Sequence, residues 1–81
     1  MGQLPDVKIN ELIKLKVKRL AEYIQKRDSI TWEKAVEKMV STKTYDCLID
    51  KKTEYYSESD EYIANQYELE LVGNWEEWMK L

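Results

Sequence analysis

Residues 9–24, Ile9-Asn10-Glu11-Leu12-Ile13-Lys14-Leu15-Lys16-Val17-Lys18-Arg19-Leu20-Ala21-Glu22-Tyr23-Ile24, carry the reading that decides the fold. Ile9, Ile13, Val17, Leu20 and Ile24 recur at steps of four, four, three and four, which is one apolar stripe at the period of an α-helix. Leu12, Ala21 and Tyr23 widen that stripe. Within it, Ile13-Lys14-Leu15-Lys16-Val17-Lys18 alternates at the period of two that suits a β-strand. The longer pattern spans about five turns and contains the shorter one, so the spacing predicts a helix over 7–27. It begins after Pro5, behind a flexible start at residues 1–6, and ends near Arg27-Asp28.

Working outward, Thr31 is placed to cap a second helix, with Ile30 before the cap and Ala35 inside forming a small hydrophobic staple. Trp32, Ala35, Val36, Met39 and Val40 then fall at i, i+3, i+4, i+7 and i+8 and predict its core face. Ser41-Thr42 interrupts and caps a short third helix reaching about Asp50, with Tyr45, Leu48 and Ile49 on its apolar side. Asp50-Lys51-Lys52-Thr53 has turn chemistry, and residues 53–56 suit a short extended segment in which at most one of Tyr55 and Tyr56 points inward. Ser57 or Ser59 caps a fourth helix whose buried side is Tyr62, Ile63, Tyr67, Leu71 and Val72. Gly73 stands where a helix ends in a left-handed residue. Asn74-Trp75-Glu76-Glu77 has capping-box spacing for a terminal helical turn. The expectation is an all-α domain over 1–81, a small bundle of about four helices with a short C-terminal helical turn.

At 81 residues the chain has room for one modest core. It contains no His, which removes Ser-His-Asp catalysis, His-based proton transfer and zinc sites that combine His with Cys. Cys47 stands alone, so no intrachain disulfide forms, and with no imidazole to activate it the residue reads as a small packed hydrophobe in a reducing compartment. Asp50, Glu54, Glu58, Asp60 and Glu61 lie close in sequence, but without EF-hand spacing or a turn glycine they read as a solvated acidic surface. Gly2 and Gly73 are isolated, so no phosphate-cradling loop is present. Tyr45, Tyr62 and Tyr67 lie at helical spacing and read as residues at the rim of the core. No enzyme chemistry, metal or cofactor is expected. The opening residues match neither a myristoylation pattern nor a signal peptide, and no apolar run approaches membrane-spanning length, so a cytoplasmic protein is expected.

Charge is unevenly distributed. Lys8, Lys14, Lys16, Lys18, Arg19, Lys26 and Arg27 face only Glu11 and Glu22 in the first helix, whereas Lys80 is the only base after Glu54 among many acids. Either the two ends attract one another or they serve different partners. As a nucleic-acid surface the candidates are Lys14, Lys16, Lys18 and Arg19, although a net charge of −3 and only two arginines oppose base readout. As a protein surface the candidates are Trp75, Glu76, Glu77 and Trp78, either an exposed aromatic anchor with an acidic rim for a basic partner or a pair of tryptophans completing the core.

Ile30-Thr31-Trp32-Glu33-Lys34-Ala35, then Ser41-x-Lys43-Thr44-Tyr45-x-x-Leu48-x-Asp50, then Thr53-x-x-Tyr56-x-Glu58-Ser59, together resemble a family of small uncharacterised bacterial proteins. The resemblance covers roughly residues 17–65 and implies an accessory or antitoxin-like protein associated with toxin-like or mobile-element genes. It carries over no catalytic residue. A second resemblance is to ribbon-helix-helix repressors, with Ile13–Lys18 as the basic strand and Ser29 through Val40 as the turn and second helix. That leaves only about nine residues for the first helix, with no cap between it and the strand. The expected function is a non-enzymatic protein-interaction module. Its alternatives are a ribbon-helix-helix-like DNA-binding regulator and a self-assembling accessory protein that forms a homodimer through the first helix.

Overall fold

A computed structural model describes residues 5–73, which form helices and turns with no strand among them. The helices are α1 (Asp6–Asp28), α2 (Trp32–Val40), α3 (Lys43–Ile49) and α4 (Asp60–Leu71), with two 3-10 turns, Lys51–Thr53 and Tyr55–Ser57, between α3 and α4. The protein is therefore a small all-α bundle, as its periodicity predicts. Among the described residues no helix is long and apolar enough to cross a membrane.

α1 starts on Pro5, whose carbonyl accepts hydrogen bonds from the amides of Lys8 and Ile9 at 3.0 Å each. The alternating stretch is helical. Lys14 and Lys18 point to solvent, and Ile13 and Val17 are half-buried on the inner side. The helix ends at Ser29, which takes a left-handed conformation (φ 54°, ψ 50°) and donates its amide to the Gln25 carbonyl. A side chain is disfavoured there and the serine is exposed. Ser29→Gly is accordingly expected to raise stability by about 0.5–1 kcal/mol, seen as a higher urea midpoint with an unchanged slope.

The other three helices begin on capping hydroxyls. Thr31 Oγ1 accepts from Lys34 N at 3.2 Å, Thr42 Oγ1 from Tyr45 N at 3.0 Å, and Ser59 Oγ from Tyr62 N at 3.1 Å. Each satisfies an amide that the helix itself leaves unpaired. Of the two serines that suit the fourth cap, Ser59 is the one used. Gly73 (φ 82°) closes α4 as expected.

The core gathers Leu20, Ala21 and Ile24 of α1, Ala35 and Met39 of α2, Leu48 of α3, Tyr55, and Ile63 and Tyr67 of α4. α1 packs most extensively on α2 and also touches α3, α4 and the second 3-10 turn. No residue from 5 to 19 is buried, so the core sits on the C-terminal half of α1.

Several expectations are corrected. Residues 53–56 are not extended. Thr53 Oγ1 donates to the carbonyls of Cys47 and Asp50, and Glu54 is left-handed at φ 59°. The chain therefore turns twice on local bonds, and both Tyr55 and Tyr56 are buried instead of one. Trp32 and Val40 are 42% and 45% exposed, which narrows the core side of α2 to Ala35, Met39 and half-buried Val36. Ile49, Leu71 and Val72 are also exposed. Tyr67 is not at the rim but fully enclosed. The expected terminal turn lies outside the described residues.

Candidate functional site

The basic helix and the acidic helix meet within the chain. Lys16 Nζ donates to the Glu58 carbonyl at 2.7 Å and to Asp60 Oδ1 at 3.2 Å, and Arg19 Nη1 donates to Asp60 Oδ2 at 2.8 Å. Further along, the Tyr23 hydroxyl donates to Glu68, and Arg27 Nε donates to the same carboxylate at 2.6 Å. Residues 16 and 19 pair with 58–60 and residues 23 and 27 with 68, so α1 and α4 run parallel. Of the two explanations for the charge asymmetry, mutual attraction holds for these groups.

The pairs continue into α2. Arg27 also donates to Asp28 Oδ1 at 2.6 Å, and Lys38 Nζ donates to Asp28 Oδ2 at 2.7 Å. Hydrogen bonds from Arg27 and then Tyr23 hold the Glu68 carboxyl below its ordinary pKa, and the bond from Lys38 does the same for Asp28. Carboxylates whose folded pKa is depressed contribute stability above their unfolded pKa, about 4. That contribution is lost as pH falls through the lower folded value. The urea midpoint of wild type is expected to exceed that of Glu68→Gln at neutral pH. The gap should close as the pH is taken from about 5 downward.

Outside these contacts, α1 and α4 enclose a surface furrow of about 330 Å³. Leu20, Tyr23, Ile63 and Ala64 line it, and Lys16, Arg19, Glu22 and Lys26 on one side stand across from Asp60 and Glu61 on the other. A shallower depression of about 310 Å³ lies on the exposed N-terminal half of α1, lined by Lys8, Glu11, Leu12 and Leu15. Lys8, Leu12, Lys16, Arg19 and Tyr23 are four, four, three and four apart, so the two hollows follow one side of α1. The arrangement is an apolar floor between charged walls.

The four candidate phosphate contacts do not share one surface. Lys16 and Arg19 turn towards Asp60. Lys14 and Lys18 are exposed and, two residues from Lys16 on either side, project from roughly the other side of the helix. Trp75, Glu76, Glu77 and Trp78 lie outside the described residues. Cys47 is half-buried against the core, and burial followed by the nearby carboxylates raises its pKa, which keeps the thiol protonated. Among the described residues no group of three or more Cys, Asp or Glu is placed to hold a metal ion.

One polar contact was not anticipated from sequence. Glu70 reaches from α4 to the start of α3, where its carboxylate accepts from Lys43 N at 2.7 Å, Thr44 N at 2.9 Å and Thr44 Oγ1 at 2.8 Å. Nothing local marks a pairing across 26 residues. The furrow left a fainter trace, since Asp60, Ala64 and Glu68 are four apart and put a small residue between two acids on one helix face. No family model matches the chain, and no similar curated protein or solved structure was found.

Proposed function

We propose that this chain is a non-enzymatic protein-interaction module that uses the α1–α4 furrow as its docking surface. In the narrower form implied by the bacterial family it resembles, it is an antitoxin-like neutraliser acting in the cytoplasm. The observation that carries this is the furrow itself, in which half-buried Tyr23 and Ala64, above the core residues Leu20 and Ile63, lie beside charged walls. An apolar anchor from a partner would be desolvated there while the rim selects by charge. The acidic end from Glu54 onward leads in sequence to Trp75, Glu76, Glu77 and Trp78, which are further candidate contacts for a basic partner. A phosphate backbone is the poorer match, because Lys16 and Arg19 share Asp60 while Lys14 and Lys18 project from the other side of α1.

Ala64→Arg supplies the test, since it fills the furrow from a half-buried position on α4. Circular dichroism establishes that the variant folds. Both proteins are then immobilised and used to capture partners from native host extract, with the retained proteins identified by mass spectrometry. A partner held by wild type is expected to be lost from the variant, and equal retention rejects the furrow as the docking surface. Removing residues 74–81 separates the tail's contribution. Unchanged retention and an unchanged melting temperature together would count against Trp75 and Trp78 as an anchor.

A further inference from the structure

We propose that the occupant of the α1–α4 furrow is a second copy of this chain, related by a two-fold axis parallel to the two helices. This rests on the furrow being a docking surface and adds what docks there.

The charges on its walls carry the inference. The α1 side presents Lys8, Lys16, Arg19 and Lys26 against Glu11 and Glu22, and with Asp60 shared between Lys16 and Arg19 it keeps a small positive excess. The α4 side has no Lys or Arg anywhere in the helix, and with Asp60 and Glu68 held by α1 cations its unpaired negative charge beside the furrow is Glu61. A surface with a positive strip, an apolar furrow and a negative strip is complementary to itself under one kind of two-fold rotation. With the axis along the furrow, the copies exchange sides and each basic strip meets the other's acidic strip. With the axis across the furrow, α1 meets α1 and like charges oppose.

Heights along the helices assign a specific pair. Arg19 bonds Asp60 within its own chain, so the two lie level, and the next residue, Glu61, is exposed with no partner among the described residues. A two-fold parallel to the helices preserves height and exchanges sides. It therefore sets Arg19 of one copy against Glu61 of the other, twice per dimer. The available area is modest. Only the part of α1 level with α4, about 18 Å, has a counterpart across this axis, and at about 10 Å of width each the two strips project about 360 Å². Corrugation by side chains raises that figure but leaves the interface at the small end, below the roughly 800 Å² per partner of an ordinary specific one. Self-association is therefore expected to be weak and to weaken further with salt.

The test uses the full chain in sedimentation velocity over a concentration series. The mass is expected to rise from 9.8 kDa to about twice that value. Arg19→Glu and Glu61→Arg each place two like-charged pairs across the axis and are expected to weaken self-association at least tenfold, an order-of-magnitude expectation of about that size for opposed charges. Mixed in equal amounts, the two variants form a heterodimer in which both pairs are again opposite in sign, so association should return towards wild type. Any strain that either change causes inside its own chain persists in the mixture, so recovery reports contacts between chains. Circular dichroism confirms that each variant is folded.

A chain that remains monomeric up to about 1 mM overturns the proposal. So does a dimer indifferent to both variants, and so does a dimer weakened by them but not recovered on mixing. The interaction-module reading fails separately. If the chain is monomeric yet Ala64→Arg abolishes capture of a different protein, only the second copy is rejected. If the furrow variant changes neither self-association nor capture, both are rejected.

Discussion

Ile24→Ala is expected to lower stability by about 3–4 kcal/mol, the largest loss available from one side chain of its size. Ile24 has no exposed surface and lies in the core shared by α1, α2, α3 and α4. Its removal therefore costs both transfer energy and a cavity that three neighbouring helices cannot collapse to fill. A domain of this length is held by about 4–12 kcal/mol in total. The melting temperature should fall by roughly 15–25 °C, and the urea midpoint by a large fraction of its wild-type value. Ile9→Ala provides the contrast. It removes the same atoms from the same stripe, but from the half-buried N-terminal part of α1, and is expected to cost under about 1 kcal/mol. Equal losses at the two positions would show that α1 is covered along its whole length.

The second large effect is expected at Glu70. Its carboxylate is the acceptor for two amides at the start of α3 and for the hydroxyl of Thr44, a residue with no exposed surface. Glu70→Ala leaves those donors without that partner and removes a negative charge from a helix N-terminus. A loss of about 2–3 kcal/mol is expected. Glu70→Gln keeps one acceptor oxygen and should lose about half as much. Thr44→Val in the Glu70→Ala background tests the mechanism. Once the acceptor is gone, an apolar side chain of the same shape should recover part of the loss in a urea titration. No recovery would mean that the hydroxyl is satisfied in another way.

These two positions differ in how far the sequence announces them. Ile24 belongs to a repeat at helical period and is identifiable as a core candidate by counting. Glu70 pairs with Lys43 and Thr44 through space, and no periodicity within either helix records the contact. The same distinction separates the charges of α1. Their excess of bases is plain in sequence, but the division into Lys16 and Arg19 on Asp60 and Lys14 and Lys18 on solvent requires α4 to be in place. In an extended segment adjacent residues face opposite ways, so the sequence places at most one of Tyr55 and Tyr56 inward. A pair of tight turns around a left-handed Glu54 buries both.

By itself, then, the sequence determined the four helices, narrowed the hydroxyls that start three of them to Thr31, Ser41 or Thr42, and Ser57 or Ser59, and marked the glycine that closes α4. Helical period and capping operate between residues at most four apart, so they are complete before any two helices meet. The tertiary structure alone decided which parts of each apolar stripe are covered. α2 has 9 residues, α3 has 7 and α4 has 12, whereas α1 has 23. The partners are too short to cover the longer helix, so its C-terminal half became core. The remainder, together with the side turned towards the edge of α4, became the apolar furrow and the exposed stripe beside it.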